Sequence, residues 1–147
     1  MKYKGYRGQI LTVDLSTGQV GHIPLTDEIV EKYIGGRGLA TRILYDAIPA
    51  GIDPFSPENK VLFVTGPAAG TLLPTSARYA VGTKSPLTGT LTVGYSGGHL
   101  APEIKYAGYD GILISGVAER PVYLYICDDR VEIRDAGRLW GLDTFET

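Results

Sequence analysis

Gly35-Gly-Arg-Gly-Leu-Ala-Thr-Arg-Ile-Leu-Tyr-Asp-Ala47 and Gly97-Gly-His-Leu-Ala-Pro-Glu-Ile-Lys-Tyr-Ala107 are two versions of one phrase. Each is a glycine pair, then Leu-Ala, then a short run with apolar residues at helical spacing. In the first, Leu39, Ala40, Ile43, Leu44 and Ala47 share a face; in the second, Leu100, Ala101, Ile104 and Ala107 do. Pro102 fits a helix only in its first turn, which fixes where the second one starts. After a loop, each is followed by a very apolar run, residues 60–65 (KVLFVT) and 111–115 (GILIS), as expected of strands covered on both faces. The repetition predicts an α+β domain with an internal duplication and pseudo-twofold symmetry. Its period is too long and irregular for a solenoid.

The flanking segments extend this reading. Residues 9–15 alternate, a Ser16-Thr-Gly-Gln19 turn follows, and residues 20–25 read as a second strand, giving an opening hairpin. Thr26 is the expected N-cap of a helix over 27–33 that begins with Asp27 and Glu28, as the helix dipole prefers. Three prolines mark residues 48–59 as a loop, and residues 66–75 (GPAAGTLLPT) form another. Strands are expected over 77–83, 89–94, 122–127 and 130–134, the last two joined by a turn at Asp128-Asp129. Residues 138–147 read as the lead into a helix that is then cut off.

Glycine (20) and proline (9) supply about a fifth of the 147 residues, against an ordinary share of roughly 12%. Hydrophobic residues nevertheless reach 44% and the net charge is only −2, which excludes a disordered chain. Acidic and basic residues nearly balance, so nothing draws the chain to nucleic acid or an anionic membrane. No run of about 20 apolar residues is available to span a bilayer. The opening MKYKGYRGQ lacks the apolar core of a signal peptide. One cysteine excludes an internal disulfide framework and any all-cysteine zinc or iron–sulfur site built from this chain alone. These features predict one domain over 1–147 and a cytoplasmic location.

Three glycine clusters stand out: residues 35–38, 66–70 and 94–98. Glycine lets main chain approach a ligand closely, and two of the clusters precede helices, whose N-termini favour anions. The spacing matches neither the dinucleotide fingerprint nor the P-loop. Turn formation and tight helix–sheet contact stand as the alternative explanation. Arg78, after the 66–75 loop, could fork onto phosphate or carboxylate, or be a solvated cation of a strand face; Arg37 has the same two readings. His22 is expected at a surface or edge, His99 in a first helical turn, facing solvent or touching a ligand beside Gly97-Gly98, Cys127 buried as a small hydrophobe, and Asp110 in a turn. No acid–base pair, nucleophile set or metal cluster emerges. The residues alone describe an α+β domain with glycine loops suited to an anion and no catalytic apparatus of its own.

The ordered motifs are more specific than any one cluster. Leu11-Thr-Val-Asp-Leu-Ser-Thr-Gly, Gly36-Arg-Gly-Leu-Ala, Ser56-Pro-Glu-Asn-Lys, Thr65-Gly-Pro, Pro74-Thr-Ser-Ala-Arg-Tyr, Lys84-Ser-Pro-Leu-Thr-Gly, Ser96-Gly-Gly, Lys105-Tyr-Ala-Gly-Tyr-Asp, Ala118-Glu-Arg-Pro-Val-Tyr-Leu, Ile133-Arg-Asp-Ala and Leu139-Trp-Gly succeed one another along the chain. The whole chain thereby resembles the N-terminal domain of the aldehyde ferredoxin oxidoreductase family. The resemblance implies two β-sheets with helices, related by a pseudo-twofold, forming a saddle for two pterin molecules. It implies a tungsten or molybdenum ion held by dithiolene sulfurs, oxidation of aldehydes to carboxylic acids, and electron flow through a 4Fe–4S cluster to ferredoxin. A magnesium ion bridging the pterin phosphates is also implied.

By this resemblance Arg78 is a pterin-binding arginine, and Tyr95 and Gly97 are pterin-contacting positions. Tyr95 replaces the family's asparagine, and its main-chain carbonyl is the expected magnesium contact. The family's cluster cysteines lie in later domains and Cys127 matches none of them, so the cluster is not ligated by this chain. The expected partners are therefore ferredoxin, an aldehyde and the remaining domains of the same enzyme; self-association stays open. By itself the domain is expected to be inactive. Two alternatives accompany this reading: a portion of a related tungsten enzyme, for example one reducing an aromatic ring on a coenzyme A thioester, or a non-catalytic anion-binding module.

Overall fold

A computed structural model describes residues 2–147. The elements run β1 (Gln9–Asp14), β2 (Val20–Pro24), α1 (Asp27–Tyr33), α2 (Gly36–Ala47), β3 (Lys60–Thr65), β4 (Tyr79–Lys84), β5 (Leu91–Ser96), α3 (Leu100–Tyr106), β6 (Gly111–Ser115), β7 (Val122–Cys127) and β8 (Arg130–Asp135). The fold is α+β with two sheets, a six-stranded one in the order β2-β1-β6-β3-β4-β5 and a β7–β8 ribbon. Thr26 caps α1 as expected, its side chain accepting the Ile29 N–H at 3.3 Å. α2 begins earlier than its apolar pattern does, because Gly36 and Gly38 belong to its first turn.

The two apolar strands that follow the repeated phrases lie side by side. β3 and β6 are antiparallel neighbours at the centre of the large sheet, with Leu62 opposite Leu113. The hairpins β1–β2 and β4–β5 flank this pair, so strand order is symmetric about it. Strand direction is not: β1 runs parallel to β6, whereas β4 runs antiparallel to β3.

Both faces of the large sheet are covered. On one, α1 and α2 bring Val30, Leu39, Ala40, Ile43 and Leu44 onto Ile10, Leu62, Val64, Ala80 and Leu113. On the other, Ile104 of α3 and the ribbon residues Leu124, Ile126, Val131 and Ile133 cover Leu11, Val13, Phe63 and Ile112. Alternation along each strand produces this division, since neighbours such as Ile10 and Leu11 point to opposite faces. Each fully buried side chain of this size contributes about 1.5–3 kcal/mol. Gly82 lets α2 settle on β4, for a Cβ there would stand 2.8 Å from Leu44 Cδ1.

Residues 138–147 form turns rather than the start of a helix; Thr147 N–H donates to the Asp143 carbonyl at 3.1 Å. Among the described residues, no helix is long and apolar enough to cross a membrane.

Candidate functional site

One end of the large sheet gathers the glycine clusters. β3 arrives there at Thr65, β4 leaves from Tyr79 and β5 returns at Ser96, as the pairings Thr65↔Tyr79 and Tyr79↔Ser96 require. α2 starts at the same end. A Cβ on Gly35 would stand 2.9 Å from Gly66 Cα and 2.9 Å from the Thr65 carbonyl oxygen, so the first cluster meets the second main chain to main chain. Gly36, at φ +52°, adopts a conformation that glycine accepts without the usual cost. A Cβ on it would lie 3.6 Å from the Tyr95 ring, which joins the first cluster to the third.

Arg78 lies one residue before β4, on the loop side of the strand start, and is exposed. Gly97 sits beside it: a Cβ there would lie 3.9 Å from both Cδ and Nε of Arg78. Thr75, Ala77, Arg78, Gly97 and Gly98 line an open cleft of about 300 Å³. Around the Cβ positions of Gly94 and Gly98 nothing beyond the adjoining residues of the chain comes within 4 Å, so bare main chain borders open space. Thr75 adopts φ +61°, an unfavourable conformation for a β-branched residue, and such strain gathers at ligand sites. Among the described residues, neither Arg78 nor Arg37 makes a salt bridge. An unpaired guanidinium beside side-chain-free backbone suits a phosphate or a flat hydrogen-bonding ring.

Tyr95 turns its side chain toward the start of α2. Its hydroxyl accepts the Arg37 N–H at 3.2 Å, and the Arg37 guanidinium carbon lies 5.7 Å from the centre of its ring. The structure therefore brings Arg78 and Gly97 together directly and connects Tyr95 to them through the main chain of β5.

The other candidates lie elsewhere. His22 is exposed on the edge strand β2, stacked on Tyr109 at 5.8 Å. His99 is exposed at the N-cap of α3 and makes no side-chain cap bond. Cys127 is exposed, contrary to its expected burial, because Leu124 and Ile126 occupy the inward side of β7 and alternation turns Cys127 outward. Among the described residues, no group of three or more His, Cys, Asp or Glu is placed to hold a metal ion.

Sequence reasoning missed a buried ion pair. Asp110, expected in a turn, pairs with Lys105, their side chains only 2% and 4% exposed. Asp110 also accepts the Arg7 N–H at 2.9 Å and the Gly8 N–H at 2.7 Å, while Lys105 Nζ donates to the Gly5 carbonyl at 2.8 Å. Burial pulls the Lys105 ammonium below its ordinary pKa, and Asp110 opposes that shift. The pair straps residues 5–8 beside the 66–70 loop, where a Cβ on Gly70 would lie 3.2 Å from Lys105 Cβ. The five-residue spacing was visible, but nothing in it distinguished a buried pair from two solvated charges.

The end of the large sheet where three glycine loops meet beside the unpaired Arg78 is the candidate ligand site, and comparison with known proteins assigns the α+β domain that carries it to a family. Residues 10–147 match the family model described as aldehyde ferredoxin oxidoreductase, N-terminal domain, and the chain belongs to that family. It is 48% identical over 143 residues to the tungsten-containing aldehyde ferredoxin oxidoreductase of Pyrococcus horikoshii, covering 97% of this chain and 24% of that protein. It is 39% identical over 144 residues to the aliphatic sulfonate oxidoreductase, WOR-like subunit, of Pyrococcus furiosus, covering 96% and 23%. Among solved structures, the active site complex BamBC of benzoyl coenzyme A reductase with 1,5-dienoyl-CoA matches with a TM-score of 0.90 and 42% identity, covering 94% of this chain and 21% of that one. The chain thus spans about a quarter of the length of the curated relatives it matches.

Proposed function

We propose that this chain is the cofactor-binding part of a tungsten bis-pterin oxidoreductase that oxidises aldehydes to carboxylic acids and passes the electrons to ferredoxin. The observation that carries the proposal is the convergence of three glycine loops beside Arg78 at one sheet end. The residues present fit such a group. The cofactor's flat rings and phosphates need main chain within contact distance and a planar cation, and Gly94, Gly97, Gly98 and Arg78 offer both. Bound there, the cofactor would supply the two-electron chemistry; this chain's residues would hold and orient it. Tyr95 would offer its main-chain carbonyl to a magnesium ion accompanying the cofactor, while its hydroxyl is engaged with α2. Molybdenum could replace tungsten on the same residues. The iron–sulfur cluster, the aldehyde pocket and the ferredoxin contact would belong to other parts of the enzyme, in the cytoplasm.

A second reading is favoured by the benzoyl coenzyme A reductase and sulfonate oxidoreductase matches. On that reading the same domain serves a tungsten enzyme acting on another substrate. Assay of the full-length protein against aldehydes, aromatic coenzyme A thioesters and alkyl sulfonates separates the two readings. The cofactor role is tested by Arg78→Ala in the full-length protein produced with tungstate. Tungsten and pterin per folded molecule are expected to fall about tenfold, corresponding to the loss of one charge-assisted contact. Unchanged tungsten in a well-folded variant overturns the role of Arg78, and no tungsten, molybdenum or pterin in the parent protein overturns the proposal itself.

A further inference from the structure

Residues 94–98 read Gly-Tyr-Ser-Gly-Gly, so only two side chains are available to fix this main chain. β5 is moreover an edge strand, paired only with β4. β4 pairs with it as far as Ser96, and the two glycines beyond have neither a ladder partner nor a side chain to hold them in one conformation. The start of α2 has the complementary deficit. Its N-cap is Gly35, which makes no side-chain cap bond, and its first turn carries no acidic residue. The first N–H groups of a helix lack intrahelical partners and need an acceptor from elsewhere.

Tyr95 answers both deficits. It reaches 58 residues back along the chain and accepts the Arg37 N–H with its hydroxyl at 3.2 Å. Its ring lies under the Arg37 guanidinium, 5.7 Å from centre to carbon. The same ring closes on Gly36, where a Cβ would stand 3.6 Å away and where φ is +52°. Two residues further on, Gly97 is against Arg78.

We propose that Tyr95 is a positioning residue whose side chain clamps the 94–98 segment to the start of α2, holding the main chain beside Arg78 in the conformation the cleft requires. The value of the clamp for cofactor binding rests on the reading of the cleft given above; the clamp itself does not.

The test uses the full-length protein in two variants. Tyr95→Phe keeps the ring and removes the acceptor; Tyr95→Ala removes both. Amide hydrogen exchange is followed at residues 36–38 and 94–98, alongside melting temperature and tungsten per folded molecule. In Tyr95→Phe, exchange at the Arg37 amide is expected to rise about fivefold, the loss of one modest hydrogen bond. In Tyr95→Ala, faster exchange is expected to spread to residues 94–98, with tungsten reduced in the same order: parent, Phe, Ala. Unchanged exchange at Arg37 in Tyr95→Phe overturns the clamp. Faster exchange at both segments with tungsten at the parent level overturns its positioning role, since a purely structural contact moves exchange and melting but not occupancy of the folded protein. If instead the parent holds no tungsten, molybdenum or pterin, the cofactor reading fails while the exchange result still decides the clamp.

Discussion

Lys105 and Asp110 are both nearly withdrawn from water, and each depends on the other. Removing one partner of such a pair leaves a buried charge and costs about 3–5 kcal/mol. Their surroundings are unequal. Asp110 keeps the Arg7 and Gly8 N–H donors if Lys105 is lost, whereas Lys105 keeps one carbonyl, that of Gly5, and the face of the Tyr6 ring at 5.4 Å if Asp110 is neutralised. Asp110→Asn is therefore expected to lie at the upper end of that range and Lys105→Met below it. Urea unfolding of the two variants checks the ranking, and a larger loss in Lys105→Met contradicts it. At this scale the sequence was least informative. Arg78 and the glycines were visible as candidates because their chemistry is unusual, but Asp110 resembles any turn aspartate, and only its burial marks it. Cys127 failed for the related reason that the alternation of β7 assigns its side, which residue type does not.

Asp14, the last residue of β1, organises the turn into β2. Its Oδ1 accepts the Ser16 and Thr17 N–H groups, each at 2.9 Å. The Thr17 N–H, followed by the weaker contacts with Thr17, Ser16 and Ser115 side chains or main chain, holds its carboxyl below the ordinary aspartate range. Because the folded pKa is the lower one, the stabilisation is complete above the unfolded value and is lost as pH falls through the folded value. The stability gap between the parent chain and Asp14→Asn should therefore be constant at neutral pH and close on acidification through the carboxylate range. Denaturation midpoints measured at a series of pH values check this, and a gap that widens in acid refutes it. Elements themselves were largely legible. α1, β3, β6 and β7 occupy the expected residues because period, capping and turn residues agree there. β4 and β5 begin two residues later than expected, at Tyr79 and Leu91, because the glycine and proline flanks give alternation no sharp edge.

For the whole molecule, the decisive quantity is how much of the chemistry this chain can hold. Among the described residues there is one cysteine, exposed, and no multi-residue metal site. Because the chain spans only about a quarter of the length of its curated relatives, the purified 147-residue chain is expected to show no aldehyde-dependent reduction of a viologen dye. Turnover above the no-enzyme blank would show that the electron path does not need other domains. The site's ingredients were legible in the sequence as three separate glycine clusters and an arginine. Their meeting was not, since it depends on β3, β4 and β5 turning at one end of the sheet and on α2 starting there.

The sequence by itself determined the family, the α+β class and the short-range elements, because these follow from local periodicity, turn chemistry and the order of motifs. Tertiary structure decided which faces are buried, that Asp110 and Lys105 form a pair, that Tyr95 turns toward α2, and that Gly35 touches Gly66. Those contacts join residues 5 to 58 positions apart, and they are set by how the strands and helices pack rather than by any local preference.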